Sequence, residues 1–200
     1  MKTEQKILTS RYRDALLYCL DLHGRDTRKA KPVPYVAHLL SVSALVMEDG
    51  GDEDEAIAGL LHDALEDHPE TTSRKEIGDR FGVRVLHLVE SCTDTPPDYA
   101  GGEKPPWRMR KEAYLKHLRH APSGAIRVAL ADKLHNAREV LADYRRQGDA
   151  LWGRFNAPKE DQLWFYPSLV AAFRQAGATG YLIDELDRVV SELERLAGAA

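Results

Sequence analysis

The sequence predicts an all-α protein, and three observations support this prediction. Apolar residues recur every three or four positions through most of the chain, which is typical of helices that bury one face. Glycine, proline and helix-capping residues separate these periodic segments. No segment shows the alternation of apolar and polar residues expected of a half-buried strand, and there is no internal repeat. We expect a bundle of about eight to ten helices.

The first half of the chain predicts five helices. Pro34 suits the first turn of the second helix, where a missing N–H is harmless. Asp52 or Asp54 can cap the third helix, and Ser73 with Glu76 forms a capping box for the fourth. We expect the third helix to run without a break. The five predicted spans are residues 6–22, 34–48, 54–67, 73–81 and 83–91.

The second half predicts a long loop followed by four helices. Residues 93–107 contain four prolines, and long loops of this kind are often functional segments or lids. The next helix carries a basic face, and Ser123 begins a much longer one. Trp152 and Phe155 fall in a loop or a short helix. The basic face comprises Arg108, Arg110, Lys111 and Lys116, and the last two helices span residues 162–173 and 181–196.

The composition excludes several classes of protein. Two hundred residues, 43% hydrophobic and 30% charged, predict one domain over residues 1–200 with a sizeable core. A net charge of −4 argues against binding to nucleic acid or to an anionic membrane, and no apolar run could span a bilayer. Cys19 and Cys92 lie in apolar contexts and predict reduced thiols and a cytoplasmic location. The oligomeric state stays open, a homodimer included.

The strongest chemical signal lies at the polar end of the third predicted helix. His62 and Glu66 share one helix face, and Asp63 and Asp67 share the adjacent one. Three acids without a Lys or Arg on the same turn repel each other, and a bound cation relieves that repulsion. Acidic clusters are more often solvated helix ends. Here, however, the flanking apolar residues draw the His-Asp pair toward the interior, which favours a metal site.

Two further helices contribute potential ligands. His38 lies beside the apolar stripe of the second helix, where a histidine is more often a core residue than a ligand. Asp132 follows a nearly continuous apolar run, and a buried carboxylate needs a partner. Two imidazoles and two carboxylates without sulfur suit Mn²⁺, Fe²⁺ or Zn²⁺. The predicted metal ligands are His38, His62, Asp63 and Asp132, with Glu66 and Asp67 expected to orient or deprotonate a water.

The loop before the second helix is rich in cations. Arg25, Arg28, Lys29 and Lys31 lie within seven positions of a chain that is acidic overall. The default for such a run is solvation. The alternative is a binding site for phosphate groups, which pair well with arginine and lysine.

Two motifs carry a resemblance to a known family. Residues 60–67 (LLHDALED) and 130–136 (LADKLHN) resemble the hydrolase domain of the RelA/SpoT alarmone family, within the HD phosphohydrolase superfamily. The likeness extends over about residues 11–175. It implies an all-α HD-domain bundle that removes pyrophosphate from the ribose 3′ position of guanosine tetra- or pentaphosphate (ppGpp or pppGpp).

The resemblance also implies roles for individual residues. The four metal ligands proposed above would hold Mn²⁺, and Glu66 and Asp67 would support the attacking water. The substrate would be a small-molecule nucleotide. The residues implied to bind it are Arg28, Lys29, Tyr35, Asn136, Trp164 and Tyr166.

Two other functions remain open at this point. One is an HD enzyme for a different nucleotide, such as NADPH, an adenine alarmone or a nucleoside monophosphate. Ala129 and Asp94 favour it, because each replaces a lysine common in the alarmone family. The other is a non-enzymatic metal or nucleotide sensor. Glu66 and Asp67 argue against a sensor, since binding alone does not require them.

Overall fold

The computed structural model describes residues 8–29, 31–93 and 105–198. Within these residues the fold is all-α, as predicted, with ten α-helices, one 3₁₀ helix and a single isolated β-bridge. The α-helices are α1 (Ser10–His23), α2 (Val36–Glu48), α3 (Glu53–Leu61), α4 (Ala64–Asp67), α5 (Arg74–Phe81), α6 (Val83–Cys92), α7 (Trp107–Leu118), α8 (Ser123–Gln147), α9 (Lys159–Gln175) and α10 (Tyr181–Gly198). The 3₁₀ helix spans Gly148–Arg154.

Helix α8 lies at the centre of the bundle. It packs against α2, α3, α6 and α10. Residues from the start of α8 to Asp132 are almost all buried, which explains the long apolar run in the sequence. The burial of this run carries Asp132 into the interior, where the residue is 5% exposed.

Helices α2 and α3 approach each other unusually closely. A Cβ built on Gly59 would lie 2.9 Å from the Cα of Ser43, so no larger residue fits at position 59 without a shift of the backbone. The hydroxyl of Ser43 donates to the carbonyl of Ala56 at 2.8 Å and fixes the same contact. This close packing brings the start of α2, which carries His38, to the end of α3, which precedes His62.

The predicted starts of the first two helices are wrong by a few residues. Helix α1 begins at Ser10 rather than near residue 6, because the side chain of Thr9 accepts a hydrogen bond from the N–H of Arg11 and caps the helix there. Helix α2 begins at Val36, two residues after Pro34. In both cases the periodic apolar pattern continues beyond the helix itself.

The predicted uninterrupted third helix is also wrong. Helix α3 ends at Leu61, and α4 begins only at Ala64. Nδ1 of His62 donates to the carbonyl oxygen of Gly59 at 3.0 Å. In a continuous helix that oxygen would accept from the N–H of Asp63. The break therefore places His62 and Asp63 between two helices rather than within one.

Two remaining expectations concern the 93–107 loop and the membrane. Most of the predicted loop, residues 94–104, lies outside the described residues. Among the helices of the described part of the chain, none is both long and apolar enough to cross a bilayer.

Candidate active site

Three buried side chains converge between α2, the α3–α4 break and α8. His38, His62 and Asp132 each place a ligating atom within 4.8 Å of the others. Nε2 of His38 lies 3.3 Å from Oδ1 of Asp132, and Nε2 of His62 lies 3.6 Å from the same oxygen. Three separate elements thus contribute one donor each to a common point.

Asp63 lies at the edge of this cluster. Its Oδ2 is 3.0 Å from Nε2 of His62 and 3.9 Å from Nε2 of His38. The same oxygen accepts a hydrogen bond from the hydroxyl of Tyr35 at 2.5 Å. Asp63 is more exposed than the other three residues and lines one neighbouring cavity.

The donor set fits a divalent metal. Nε2 of His62 is buried and makes no hydrogen bond, although two carboxylates lie nearby. Tetrahedral coordination with bonds of about 2.0–2.1 Å separates neighbouring donors by about 3.3 Å. The observed nitrogen-to-oxygen separations of 3.0–3.9 Å bracket that value. An ion among these donors would give the unpaired imidazole nitrogen a partner.

The charges of the cluster depend on one another. Burial by itself favours the neutral carboxyl of Asp132, but Lys133 and the two imidazoles outweigh it and hold the pKa of Asp132 well below its usual range. Burial also opposes charge on His62, yet Asp63 and Asp132 raise its pKa. Burial lowers the pKa of His38, which is therefore neutral. A metal requires both imidazoles neutral, so binding would displace the proton of His62.

His135 orients His38 and was not singled out from the sequence. Nδ1 of His38 lies 2.8 Å from Nδ1 of His135, and a single proton must lie between the two nitrogens. Burial and the nearby His38 lower the pKa of His135 to about 4, so its ring is neutral and can accept. If His38 donates from Nδ1, its Nε2 keeps a free lone pair directed at the cluster. The i+3 spacing of His135 from Asp132 is the only sequence signal of this role.

Glu66 and Asp67 lie beyond the cluster, on α4. Oε2 of Glu66 accepts from the hydroxyl of Thr93 at 3.0 Å. Partial removal from water, together with the negative charges of Asp63 and Glu66, raises the pKa of Asp67 to about 6. Asp67 still keeps an exposed surface, so solvent moderates this shift. Both acids line the same small cavity as Asp63.

The larger of the two cavities next to the cluster has a volume of about 370 Å³. Five of the six residues implied to bind substrate line it, and Trp164 does not. On α9, the residues facing the cavity are Gln162, Phe165 and Tyr166, spaced as one helix face. Trp164 instead packs beneath the guanidinium of Arg108, 3.2 Å from its ring centroid. The five residues in the lining are Arg28, Lys29, Tyr35, Asn136 and Tyr166.

The larger cavity has a strongly positive lining. Six Arg or Lys side chains face it against two carboxylates, Glu139 and Asp143. Lys31 forms ion pairs with both carboxylates, and Arg154 donates to Asp143 at 2.6 Å. Lys31 therefore stabilises the cavity wall rather than offering its charge to a ligand. The other four cations lining the cavity are Arg28, Lys29, Lys111 and Lys133.

The smaller cavity, of about 220 Å³, adjoins the first. Lys111 and Lys133 line both cavities, and Arg110 adds a third cation to the smaller one. Its other charged lining residues are the acids of the cluster's edge, Asp63, Glu66 and Asp67. The two cavities thus share a cationic wall, and Asp63 connects the smaller one to the candidate metal centre.

A hydrogen-bond chain connects the cluster to the larger cavity. Nδ2 of Asn136 donates to Oδ1 of Asp132 at 2.5 Å, and Oδ1 of Asn136 accepts from Arg28 at 2.8 Å. The guanidinium of Arg28 also lies 5.6 Å from the ring centroid of Tyr35, which in turn contacts Asp63. A group that binds Arg28 is thereby placed next to the buried donors.

Comparison with known proteins agrees with this architecture. The HD domain family matches residues 15–161. The Xenopus tropicalis guanosine-3′,5′-bis(diphosphate) 3′-pyrophosphohydrolase MESH1 is 34% identical over 130 residues, which cover 64% of this chain and 68% of that protein. The Escherichia coli bifunctional (p)ppGpp synthase/hydrolase SpoT is 31% identical over 210 aligned positions, covering 92% of this chain but only 28% of SpoT.

Structural comparison supports the same fold. A solved metazoan orthologue of SpoT, described as hydrolysing ppGpp, superposes with a TM-score of 0.73 over 94% of this chain and 97% of that one, at 23% identity. Human MESH1 is 33% identical over 120 residues, which span 62% of its length. The family match covers most of the chain and includes all the residues of the buried cluster, so the chain belongs to the HD domain family.

Proposed function

We propose that this protein hydrolyses guanosine 3′,5′-bis(diphosphate) (ppGpp) or its pentaphosphate form at the 3′ position. Water adds to phosphorus and the bond to the ribose 3′-oxygen breaks, so ppGpp yields pyrophosphate and guanosine 5′-diphosphate. The relatives named as ppGpp hydrolases support this proposal. The observation that carries it in this chain is the pair of adjoining cationic cavities beside the buried His/Asp cluster.

The two cavities match a nucleotide with phosphates on both sides of its ribose. The larger cavity offers aromatic surface from Tyr35, Trp107 and Tyr166 for a base, together with the cations Arg28 and Lys29. In the smaller cavity, Arg110 and Lys111 suit a second diphosphate, whereas Lys133 pairs with Asp132. The scissile bond would then lie near Asp63, where the smaller cavity meets the cluster.

In this proposal His38, His62, Asp63 and Asp132 hold a divalent ion such as Mn²⁺, Fe²⁺ or Zn²⁺. When bound, the ion supplies Lewis-acid chemistry and lowers the pKa of water. Glu66 and Asp67 orient the attacking water and accept its proton. Asn136 positions Asp132 through the hydrogen bond described above. The reduced, buried cysteines Cys19 and Cys92 support a cytoplasmic location.

A substrate panel tests the proposal directly. Purified protein with Mn²⁺ is offered ppGpp, pppGpp, NADPH and nucleoside monophosphates, and release of pyrophosphate and phosphate is measured. We expect pyrophosphate from the two guanosine substrates. Phosphate release from NADPH or a monophosphate, with no reaction on ppGpp, would show that the same metal centre acts on a different nucleotide.

The variant Arg28→Ala locates the substrate in the larger cavity. A charge-assisted contact contributes about 1.5–3 kcal/mol, so the KM for ppGpp should rise by roughly one to two orders of magnitude with metal content unchanged. Arg25→Ala is the matched control, since Arg25 belongs to the same loop but lies outside this cavity. Equal KM values in both variants would remove Arg28 from the binding site.

A further inference from the structure

A second cluster of metal-ligand side chains lies outside the four predicted ligands. It consists of His23 at the end of α1, Asp26 in the following loop and His68 just after α4. Nδ1 of His23 and Nε2 of His68 lie 2.9 Å and 2.7 Å from the same oxygen, Oδ2 of Asp26. His68, which is distant in sequence, therefore meets the neighbouring pair His23 and Asp26 at one carboxylate oxygen.

This cluster has both a buried side and an open side. His23 is completely buried and faces the cluster with Nδ1, while its Nε2, on the opposite edge of the ring, makes no hydrogen bond. Asp26 and His68 are partly exposed and border an open cavity of about 570 Å³. An ion from solvent can therefore reach the carboxylate and one imidazole without local unfolding.

We propose that His23, Asp26 and His68 form a second divalent-cation site, separate from the cluster around Asp132. Two imidazoles and one carboxylate without sulfur favour Zn²⁺ among common ions, with the fourth position open to a water. Tetrahedral zinc separates its donors by about 3.3 Å, so the observed 2.7 and 2.9 Å need to lengthen by about half an ångström.

The site would act on the loop that carries the phosphate-binding candidates. The loop from Gly24 to Pro34 includes Arg28 and Lys29. Asp26 is the only residue of this loop that belongs to one of the two candidate metal clusters. A cation held by residues of α1, the loop and the end of α4 fixes that loop relative to the active site. Because the ion binds the folded state, it should also raise the thermal unfolding temperature.

A hydrogen-bonded triad is the competing explanation of the same geometry. Two imidazole N–H groups donating to one carboxylate oxygen satisfy Asp26 without any ion. The two explanations differ in a measurable quantity, the number of metal ions bound per chain. The triad predicts one equivalent, at the Asp132 cluster, whereas the second site predicts two.

The experiment is a Zn²⁺ titration of the full, chelator-stripped chain by calorimetry, with metal analysis after dialysis. We expect two equivalents for the wild type, one for His62→Ala, one for His68→Gln and none for the double variant. His120→Gln is the matched control, because His120 is exposed and belongs to neither cluster. It should retain two equivalents.

The test does not depend on hydrolysis, because only the number of Zn²⁺ ions bound by His62→Ala is measured. No equivalent in His62→Ala overturns the second site, and so does a single equivalent in the wild type that His68→Gln retains. If circular dichroism shows that His68→Gln does not fold, Asp26→Asn in the His62→Ala background replaces it, because asparagine keeps an acceptor for the imidazoles. Retention of one equivalent in that folded variant also overturns the proposal.

Discussion

Helix α3 has a buried polar cluster at each end, and the two differ in how their charges are balanced. At the N-terminal end, Glu55 is 5% exposed and forms ion pairs with Arg84 and Arg127. At the C-terminal end, His62 is equally buried, but its Nε2 has no hydrogen-bond partner.

The difference separates a structural cluster from a candidate functional one. Guanidinium groups from α6 and α8 neutralise Glu55, and the hydrogen bonds at that end are complete. At the other end, the donors converge without using all their hydrogen-bonding capacity, which leaves a place for an ion. Acidic residues crowd both ends in the sequence, so acidity alone does not distinguish the two.

The largest expected effect is on the C-terminal cluster. His62→Ala removes a buried donor and should abolish both metal binding at this centre and hydrolysis, while the helical circular dichroism is retained. Metal analysis, a ppGpp assay and circular dichroism measure the three quantities. His117→Ala, on the exposed face of α7, is the control. Full activity in wild-type protein stripped by a chelator would contradict the metal centre.

Glu66→Gln should affect catalysis without affecting the metal. Glutamine keeps the shape and the contact with Thr93 but cannot accept a proton. A positioned general base contributes about 10²–10⁴-fold, so kcat should fall by that factor with metal content unchanged. If metal and activity are instead lost in parallel, Glu66 is a ligand and not a base.

His135→Ala should weaken metal binding through His38. Residues that orient a ligating histidine typically change metal affinity by about 10–100-fold. His135→Gln offers a carbonyl oxygen as an acceptor for Nδ1 of His38 and should recover part of this loss. Calorimetry on both variants checks the expectation. Identical affinities in the alanine and glutamine variants would show that the hydrogen bond does not matter.

Much of the fold could be predicted because it depends on local patterns. The cap at Asp52 and the stop at Gly82 are visible in sequence, and the apolar period of α8 reaches directly to Asp132. The break after Leu61 could not be predicted in this way. It depends on a side-chain bond from His62 to the backbone, which competes with the helix and leaves the apolar pattern unchanged.

The candidate site likewise contains residues that could be predicted from the sequence and residues that could not. His38, His62 and Asp132 could be found because their residue types suit a metal and their helices are amphipathic. The roles of His135 and His68 could not, because their partners, His38 and Asp26, come from distant parts of the sequence. Trp164 was implied by resemblance alone, and the helix face that it occupies turns it away from the cavity.

The smallest expected effect on activity comes from a substitution in the cluster around Glu55, at the N-terminal end of α3. This substitution is the strongest test of the difference between the two ends of the helix. Arg127→Met removes one of the two cations on Glu55. Breaking a fully buried pair costs about 3–5 kcal/mol, but Arg84 remains and Arg127 is partly exposed, so we expect a loss of about 2 kcal/mol in the free energy of unfolding. Arg145→Met, which breaks a surface pair with Glu192, should cost less than about 1 kcal/mol.

Metal affinity and kcat/KM should stay near wild type in Arg127→Met. Glu55 and His62 are seven residues apart, about 10 Å along the helix axis, a distance at which independent sites usually act additively. Chemical denaturation measures the change in stability, and calorimetry and the ppGpp assay measure metal affinity and kcat/KM on the same preparation. If Arg127→Met instead loses metal affinity as well as stability, α3 transmits strain between its ends, and the two clusters form one coupled unit rather than a structural and a functional one.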